Sequence, residues 1–343
     1  MPNNYGNCET QLANFFTEVE WLLHDKPVRK YDYYYDQIVS IGELLSTCIV
    51  SHYLNEINIA NTWLDVRDIV RTDNNFRDAS VDWKVTEEKI ANLELTTSNK
   101  QQQKIYITQG FIGCTDDNET TTLGREGSDY SAAIFANILN AESVTIWKDV
   151  EGVMNADPKQ FANAQLISEL SFEDVIEMAF YGAQVIHPKT IKPLQNKKIP
   201  LQVKCFLDAS LQGTIIQDKV AKNLPPIIVV KHNQVLMNLH TQDFSFVGEK
   251  PMSLLYNLFE EEKLKPNLIQ TGAINVQICL DDNAEKLEQL ATKASSIFNV
   301  QMQKQLTLIT IRNYNQQIVD EMLQEKTVLL QQQTTKVLQV LCL

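Results

Sequence analysis

Between residues 104 and 150 the apolar pattern passes from alternation to helical spacing and back. KIYITQGFIG reads as a strand closing on a glycine-bounded turn, SDYSAAIFANILNA as a helix, and ESVTIWKDV as a second strand. Strand, turn, helix, strand is the order that builds an α/β layer with a largely parallel sheet, because parallel neighbours need a crossover between them.

The flanks extend this frame. ETQLANFFTEVEWLLH (9–24) and DYYYDQIVSIGELLSTCIVSHYLNEI (32–57) carry apolar residues at helical spacing, which predicts Phe15, Phe16 and Trp21 in the core. ANTWLDVRDIVRTDN reads as a short strand running into a turn. SFEDVIEMAFYGA reads as a helix, followed by QVIHP, a basic loop and the strand LQVKCFL. His187 stands before Pro188, which favours extended backbone there; a packed or loop-fixing histidine is weighed against a general base.

From about Asn223 the order changes. IIVVKHNQVLMNLHTQ, MSLLYNLFEEEKL, NLIQTGAINVQICLD, AEKLEQLATKASSIF and KQLTLITIRNY read as strands, helix, strands, helix and strand. Two helices covering one face of an antiparallel sheet fit that order. QIVDEMLQEK, TVLLQQQTT and KVLQVLCL supply part of another such unit. A chain of 343 residues suits two or three domains, here 1–220 and 221–343, joined by the polar DKVAKNLPP at 218–226.

The net charge of -13 makes a nucleic-acid backbone or an anionic membrane a poor partner. No apolar run approaches the roughly 20 residues of a membrane-spanning helix, and MPNNYGNCET lacks the regions of a signal peptide. Six cysteines without a CxxC pair point to a reducing cytoplasm and suggest no metal site.

TTLGREGSDY (121–130) leads into the central helix. Gly124 and Gly127 let backbone amides approach an anion, and Arg125 can fork onto a carboxylate or phosphate. Equally, Ser128 or Asp129 can cap a helix starting near Tyr130. The turn QGFIGCTDDNETT (109–121) and the loop WKDVEGVMNADPK (147–159) add further strand-end loops, where ligands of such sheets bind.

GFIG, TTLGREGSDYSAA, IWKDVEGVMNADP, SFEDVIEMAFYGAQVIHPKT and IPLQVK resemble, in order and spacing, the corresponding blocks of the aspartate kinases. DQIVSIGELLS and LDVRDIVRTDNNFRDA extend the resemblance upstream, and the C-terminal elements are similar to paired ACT domains. The resemblance implies an amino-acid-kinase-like three-layer α/β sandwich with a mainly parallel sheet, N-terminally incomplete, plus α+β ACT-like domains.

It further implies a cytoplasmic homodimer that moves the γ-phosphoryl of ATP, with Mg2+, onto the side-chain carboxylate of L-aspartate, in the biosynthesis of lysine and related amino acids. Glu43, Arg125 and Asp129 would be the catalytic set, Arg125 clamping the substrate α-carboxylate and the two acids facing its ammonium. Ser128, Thr120 and Thr121 would complete the substrate site. Trp147, Lys148, Asp149, Met154, Asp157, Pro158, Lys159 and Gln184 would form the nucleotide site. The ACT region would offer an effector site.

Departures from the family pattern cluster on the nucleotide side. No Lys-Phe-Gly-Gly-Thr-Ser turn occurs in the first 31 residues, Glu126 stands where a glycine is usual, Lys148 for a threonine, and Gln184 for a lysine. In the ACT-like region, Pro266 and Asn267 replace Val-Asp. These changes predict very poor turnover, or none, by residues 1–343 alone. They keep open a non-catalytic homologue acting as an amino-acid-binding or regulatory dimer. A kinase of the same fold acting on glutamate or carbamate fits the motifs less well.

Overall fold

The computed structural model describes residues 3–24, 26–93, 104–183, 186–219 and 224–343. The chain divides into two compact units. The first comprises Met1–Gly152, Ser168–Ile176 and Gln184–Val220; the second comprises Val153–Ile167, Glu177–Ala183 and Ala221–Leu343. Residues 220–223 of the expected connector lie outside the described ones.

The first unit opens with α1 (Asn3–His24) packed on α2 (Tyr31–Glu56). Then follow β1 (Asn61–Trp63), α3 (Trp83–Asn92), β2 (Ile105–Ile107), β3 (Ile112–Cys114), β4 (Thr120–Thr122), α4 (Gly127–Leu139) and β5 (Val144–Lys148). β6 (Glu169–Ser171), α5 (Phe172–Phe180), whose residues from Glu177 on belong to the second unit, α6 (Pro188–Lys197), β7 (Leu201–Cys205) and β8 (Thr214–Gln217) complete the series. β1 pairs with β2, β5 with β7 and β6 with β8 in parallel, whereas β3/β4 and β7/β8 are antiparallel. The predicted α/β class with parallel strands is therefore present. Its core joins Phe15 of α1 to Ile41, Leu44 and Cys48 of α2, and to Val66, Val70 and Ile112.

Three local expectations change. The segment after His187 is the helix α6 and not a basic loop: Pro188 sits in its first turn, where no amide partner is needed, and His187 caps it. The interior Pro193 made the stretch look non-helical. Neither Ser128 nor Asp129 caps α4, which begins at Gly127, one turn earlier than expected. Of the three aromatic residues expected in the α1 core only Phe15 is buried; Phe16 and Trp21 are 54% and 77% exposed.

The second unit is built on one six-stranded antiparallel sheet, ordered β10-β11-β9-β12-β14-β13. Its elements are β9 (Ile227–Thr241), α7 (Glu249–Glu261), β10 (Leu268–Thr271), β11 (Asn275–Asp281), α8 (Ala284–Ala294), β12 (Phe298–Arg312), α9 (Gln316–Leu323), β13 (Val328–Gln333) and β14 (Val337–Cys342). Leu255, Leu258 and Phe259 of α7 and Leu287 and Leu290 of α8 cover Val235, Met237 and Leu239 of β9. This is the expected ACT-like order. The two ACT-like halves share β9 and β12, each a single 15-residue strand, where the sequence suggested shorter strands at β9. Each long strand contains one left-handed residue, Asn233 (φ 55°) and Gln305 (φ 60°), and the β9/β12 register shifts between Gln303 and Leu308. Such bulges bend a strand without ending it.

Candidate active site

The segment TTLGREGSDY runs from β4 into α4, and α2 fixes its approach. The anchor is Asp36, a fully buried residue of α2. Its carboxylate accepts from the Thr122 N–H and hydroxyl, both at 2.8 Å, and from the Arg77 N–H at 2.8 Å. The next residue, Gln37, clasps the Thr120 backbone, donating to its carbonyl at 2.6 Å and accepting from its N–H at 3.2 Å. Burial pushes the Asp36 carboxyl above its usual range, although hydrogen bonds from Arg77 and Thr122 pull it back. Sequence reasoning missed Asp36, because its partners lie 41 and 86 residues away.

The candidate substrate residues fall as follows. Thr120 and Thr121 are buried in β4, and the Thr121 hydroxyl lies 2.6 Å from that of Thr72. Gly124 has φ 79°, and a side chain there would run into the Asp78 carboxylate. Arg125 is exposed, and among the described residues no carboxylate pairs with its guanidinium. Ser128 is exposed and Glu43 half-buried on α2. Asp129 lies in the first turn of α4, where the helix dipole favours an anion. Its Oδ2 is 3.2 Å from Nζ of Lys148 at the end of β5. The structure thus brings together one expected substrate residue and one expected nucleotide residue.

Glu126 occupies the left-handed position before α4, with φ 53° and ψ 33°. Its Oε2 is buried with no hydrogen-bond partner among the described residues. A non-glycine residue in this region costs about 1–2 kcal/mol, and glycine loses about 0.5–1 kcal/mol in chain entropy. Glu126→Gly is therefore expected to raise the unfolding free energy by about 1 kcal/mol, with relief of the unpaired carboxylate adding to it. Urea denaturation checks this; a lower midpoint in the variant contradicts it.

His187 is the packed, loop-fixing residue of the two alternatives. Its Nδ1 accepts from the Lys189 N–H at 3.2 Å, capping α6. Burial lowers its pKa below 6.5; Lys189 and Arg125 act in the same direction, and Glu126 and Asp78 oppose them. A depressed folded pKa means that the folded state binds fewer protons. This contribution to stability is present above the unfolded value of about 6.5 and is lost as pH falls through the folded value. His187→Asn keeps a capping acceptor, a feature worth about 1 kcal/mol, but removes the titration. Urea midpoints measured across this window should fall more steeply for the parent than for the variant, and equal slopes would refute the assignment.

The nucleotide candidates divide between the units. Trp147, Lys148 and Asp149 belong to the first; Trp147 is 49% exposed, with Lys204 Nζ 5.7 Å from its ring centroid. Met154, Asp157, Pro158 and Lys159 belong to the second. There the Asp157 carboxylate accepts from the Lys159 N–H at 2.9 Å, and Asn155 ties the loop to the start of β9. Gln184 lies outside the described residues.

The profile described as "Amino acid kinase family" matches residues 6–205, which contain this crossover α/β unit and its glycine-bearing strand-to-helix turn. The chain belongs to that family. Among its relatives, the lysine-sensitive aspartokinase 3 of Escherichia coli (strain K12) is 32% identical over 290 residues, 80% of this chain and 62% of that protein. The bifunctional aspartokinase/homoserine dehydrogenase of Buchnera aphidicola subsp. Acyrthosiphon pisum (strain APS) is 37% identical over 180 residues, 52% of this chain and 21% of that protein. The chain thus spans less than two thirds of either relative. Among solved structures, E. coli aspartokinase III with aspartate and ADP (R-state) superposes with TM-score 0.79 at 28% identity, covering 100% of this chain and 79% of the other. The same enzyme with lysine and aspartate (T-state) gives TM-score 0.74 at 28% identity, covering 98% and 77%. The chain is homologous to aspartokinases, and no helix among its described residues is long and apolar enough to cross a membrane.

Proposed function

We propose that the protein acts as an aspartate kinase, holding L-aspartate at Arg125, Asp129 and Glu43 and directing its side-chain carboxylate at the γ-phosphoryl of ATP. The observation that carries this reading is the pair between Asp129 and Lys148. The carboxylate at the start of α4 already pairs with a primary ammonium, the group that the substrate's α-amino end presents, while its Oδ2 is buried and accepts no hydrogen bond among the described residues. Arg125, without a carboxylate partner among the described residues, matches the substrate α-carboxylate through its planar fork. The side-chain carboxylate is ionised at neutral pH and attacks phosphorus directly: an O–P bond forms, the bond to the β-phosphate oxygen breaks, and ADP leaves. No general base is needed, which agrees with the capping role of His187.

The anionic nucleotide would bring Mg2+ to neutralise its charge. The exposed Trp147 offers a stacking face and Asp149, also exposed, a carboxylate; Met154, Asp157, Pro158 and Lys159 are retained as nucleotide candidates.

A second reading, a non-catalytic amino-acid-binding dimer, rests on the same pair seen from the other side. Lys148 occupies Asp129, and Glu126 adds a carboxylate beside the anion-binding turn. In the ACT-like half, the amide of Asn267 already bridges Gln234, Asp281 and Lys231, so lysine is not the effector we assign.

Calorimetric titration of the whole chain with L-aspartate, followed by aspartyl-hydroxamate formation with MgATP, tests both readings. Saturable aspartate binding, with succinate much weaker, supports the site, and turnover then decides for the kinase. Binding without turnover supports the second reading, and no aspartate binding overturns both.

A further inference from the structure

Away from the candidate active site, α1 and α2 place three metal-ligating side chains together. Cys8 on α1 and Cys48 and His52 on α2 each offer a ligand atom, and all three atoms lie within 4.8 Å of one another. Cys48 and His52 are four residues apart and therefore share one helical face. Cys8 comes from near the start of α1 and meets the end of α2, so the two helices run antiparallel and the third ligand closes over the first two. Cys48 is fully buried, while Cys8 and His52 are half-buried, a setting that shields a bound ion and still leaves an entry path.

Fixing the imidazole is a fourth residue. Gln11, one turn beyond Cys8 on α1, places its Oε1 3.1 Å from His52 Nε2. Since that oxygen only accepts, Nε2 carries the proton and Nδ1 keeps its lone pair. A histidine ligand held by a hydrogen bond through its other ring nitrogen is the usual outer-shell arrangement of metal sites.

We propose that Cys8, Cys48 and His52 form a zinc-class site, binding a thiophilic d10 divalent cation through two thiolates and one imidazole. Water completes the tetrahedron, and Gln11 positions the imidazole. Ligands at about 2.3 Å for sulfur and about 2.0–2.1 Å for nitrogen stand roughly 3.5–3.8 Å apart in a tetrahedron, so the three atoms, all within 4.8 Å of one another, need to close by no more than about 1 Å to hold an ion. Burial and the neighbouring Cys8 thiol push the Cys48 thiol up to about 11, which keeps it protonated without the ion. On binding, the thiol protons pass to solvent and the thiolates bond to the metal. Two sulfur ligands favour zinc over magnesium or calcium. The sequence did not suggest this site, because its ligands come from two helices and form no CxxC.

The test uses the whole 343-residue chain, reduced and stripped of metal, with Co2+ and Zn2+ as the probes. Co2+ is expected to give a thiolate-to-metal charge-transfer band and tetrahedral visible bands that saturate at one ion per chain and are bleached by Zn2+. Cys8→Ser and His52→Gln should each weaken Zn2+ by about 100-fold or more, and Gln11→Ala by about 10- to 100-fold. Cys205→Ala, which removes a buried thiol outside the cluster, should leave the affinity unchanged. Because Cys8 and His52 are only half-buried, their variants remain informative if Cys48→Ala fails to fold. Absence of the charge-transfer band, Zn2+ affinity undiminished in Cys8→Ser, or recovery of Cys8 and Cys48 as a disulfide from cells quenched with an alkylating agent would each overturn the proposal.

Discussion

Replacing Arg125 with alanine is expected to weaken L-aspartate binding by about 2–5 kcal/mol, roughly 30- to 5,000-fold. The size follows from what would be left behind. A substrate carboxylate brought against the start of α4 and stripped of water would lose its bidentate partner and keep only backbone amides and the helix dipole. Arg125 is exposed in the free protein, so its truncation removes no core packing and should leave the fold intact. Arg125→Lys should fall between the two, since it restores the charge but not the fork. Titration calorimetry on the three proteins reads the result directly. Equal aspartate affinity for parent and alanine variant, with unchanged thermal unfolding, would remove Arg125 from the site.

A comparable loss, in stability instead of affinity, is expected at Asp36. Asp36→Ala leaves the Thr122 and Arg77 amides without their acceptor inside the first unit. An unsatisfied buried donor costs about 1–3 kcal/mol, so the variant should lose about 3–5 kcal/mol of unfolding free energy, a large share of what a domain has. The pH dependence has a sign of its own. Because the folded pKa is raised, Asp36 contributes stability that is fully present below its unfolded value of 3.8 and is lost as pH rises through its folded value. The parent should therefore resist mild acid better, relative to its own neutral stability, than Asp36→Ala does. Urea melts at neutral and mildly acidic pH check both statements. An unchanged neutral midpoint would mean that α2 does not hold β4 through this residue.

How much was legible beforehand depended on distance along the chain. The α/β order around residues 104–150 and the ACT-like order after Ile227 were readable, because periodicity is a local property and SAAIFANIL or LQVKC declares its own face. Burial was less readable. Phe15, Phe16 and Trp21 share a helical pattern, but periodicity does not say what covers it, and only Phe15 meets the rest of the core. Helix α6 was hidden by Pro188 and Pro193, which argue against a helix until the capping role of His187 is seen. On the site side, the letters of TTLGREGSDY suggested an anion-binding turn. They did not suggest that Glu126 adopts a glycine-like conformation or that Lys148 reaches Asp129 across 19 positions of sequence. Side-chain pairs between distant elements leave no periodic trace.

The shared strands of the second unit have a bearing on how such a protein can be cut and recombined. Since β9 and β12 each pass through both halves of the sheet, no joint separates one half from the other. A breakpoint placed at the bends near Asn233 and Gln305 would sever the backbone hydrogen bonding of both halves at once. Recombination by evolution or by an engineer can therefore transplant this region whole, but it cannot exchange one half as a cassette. Whatever selective pressure acts on one half is inherited by the other through the same two stretches of chain.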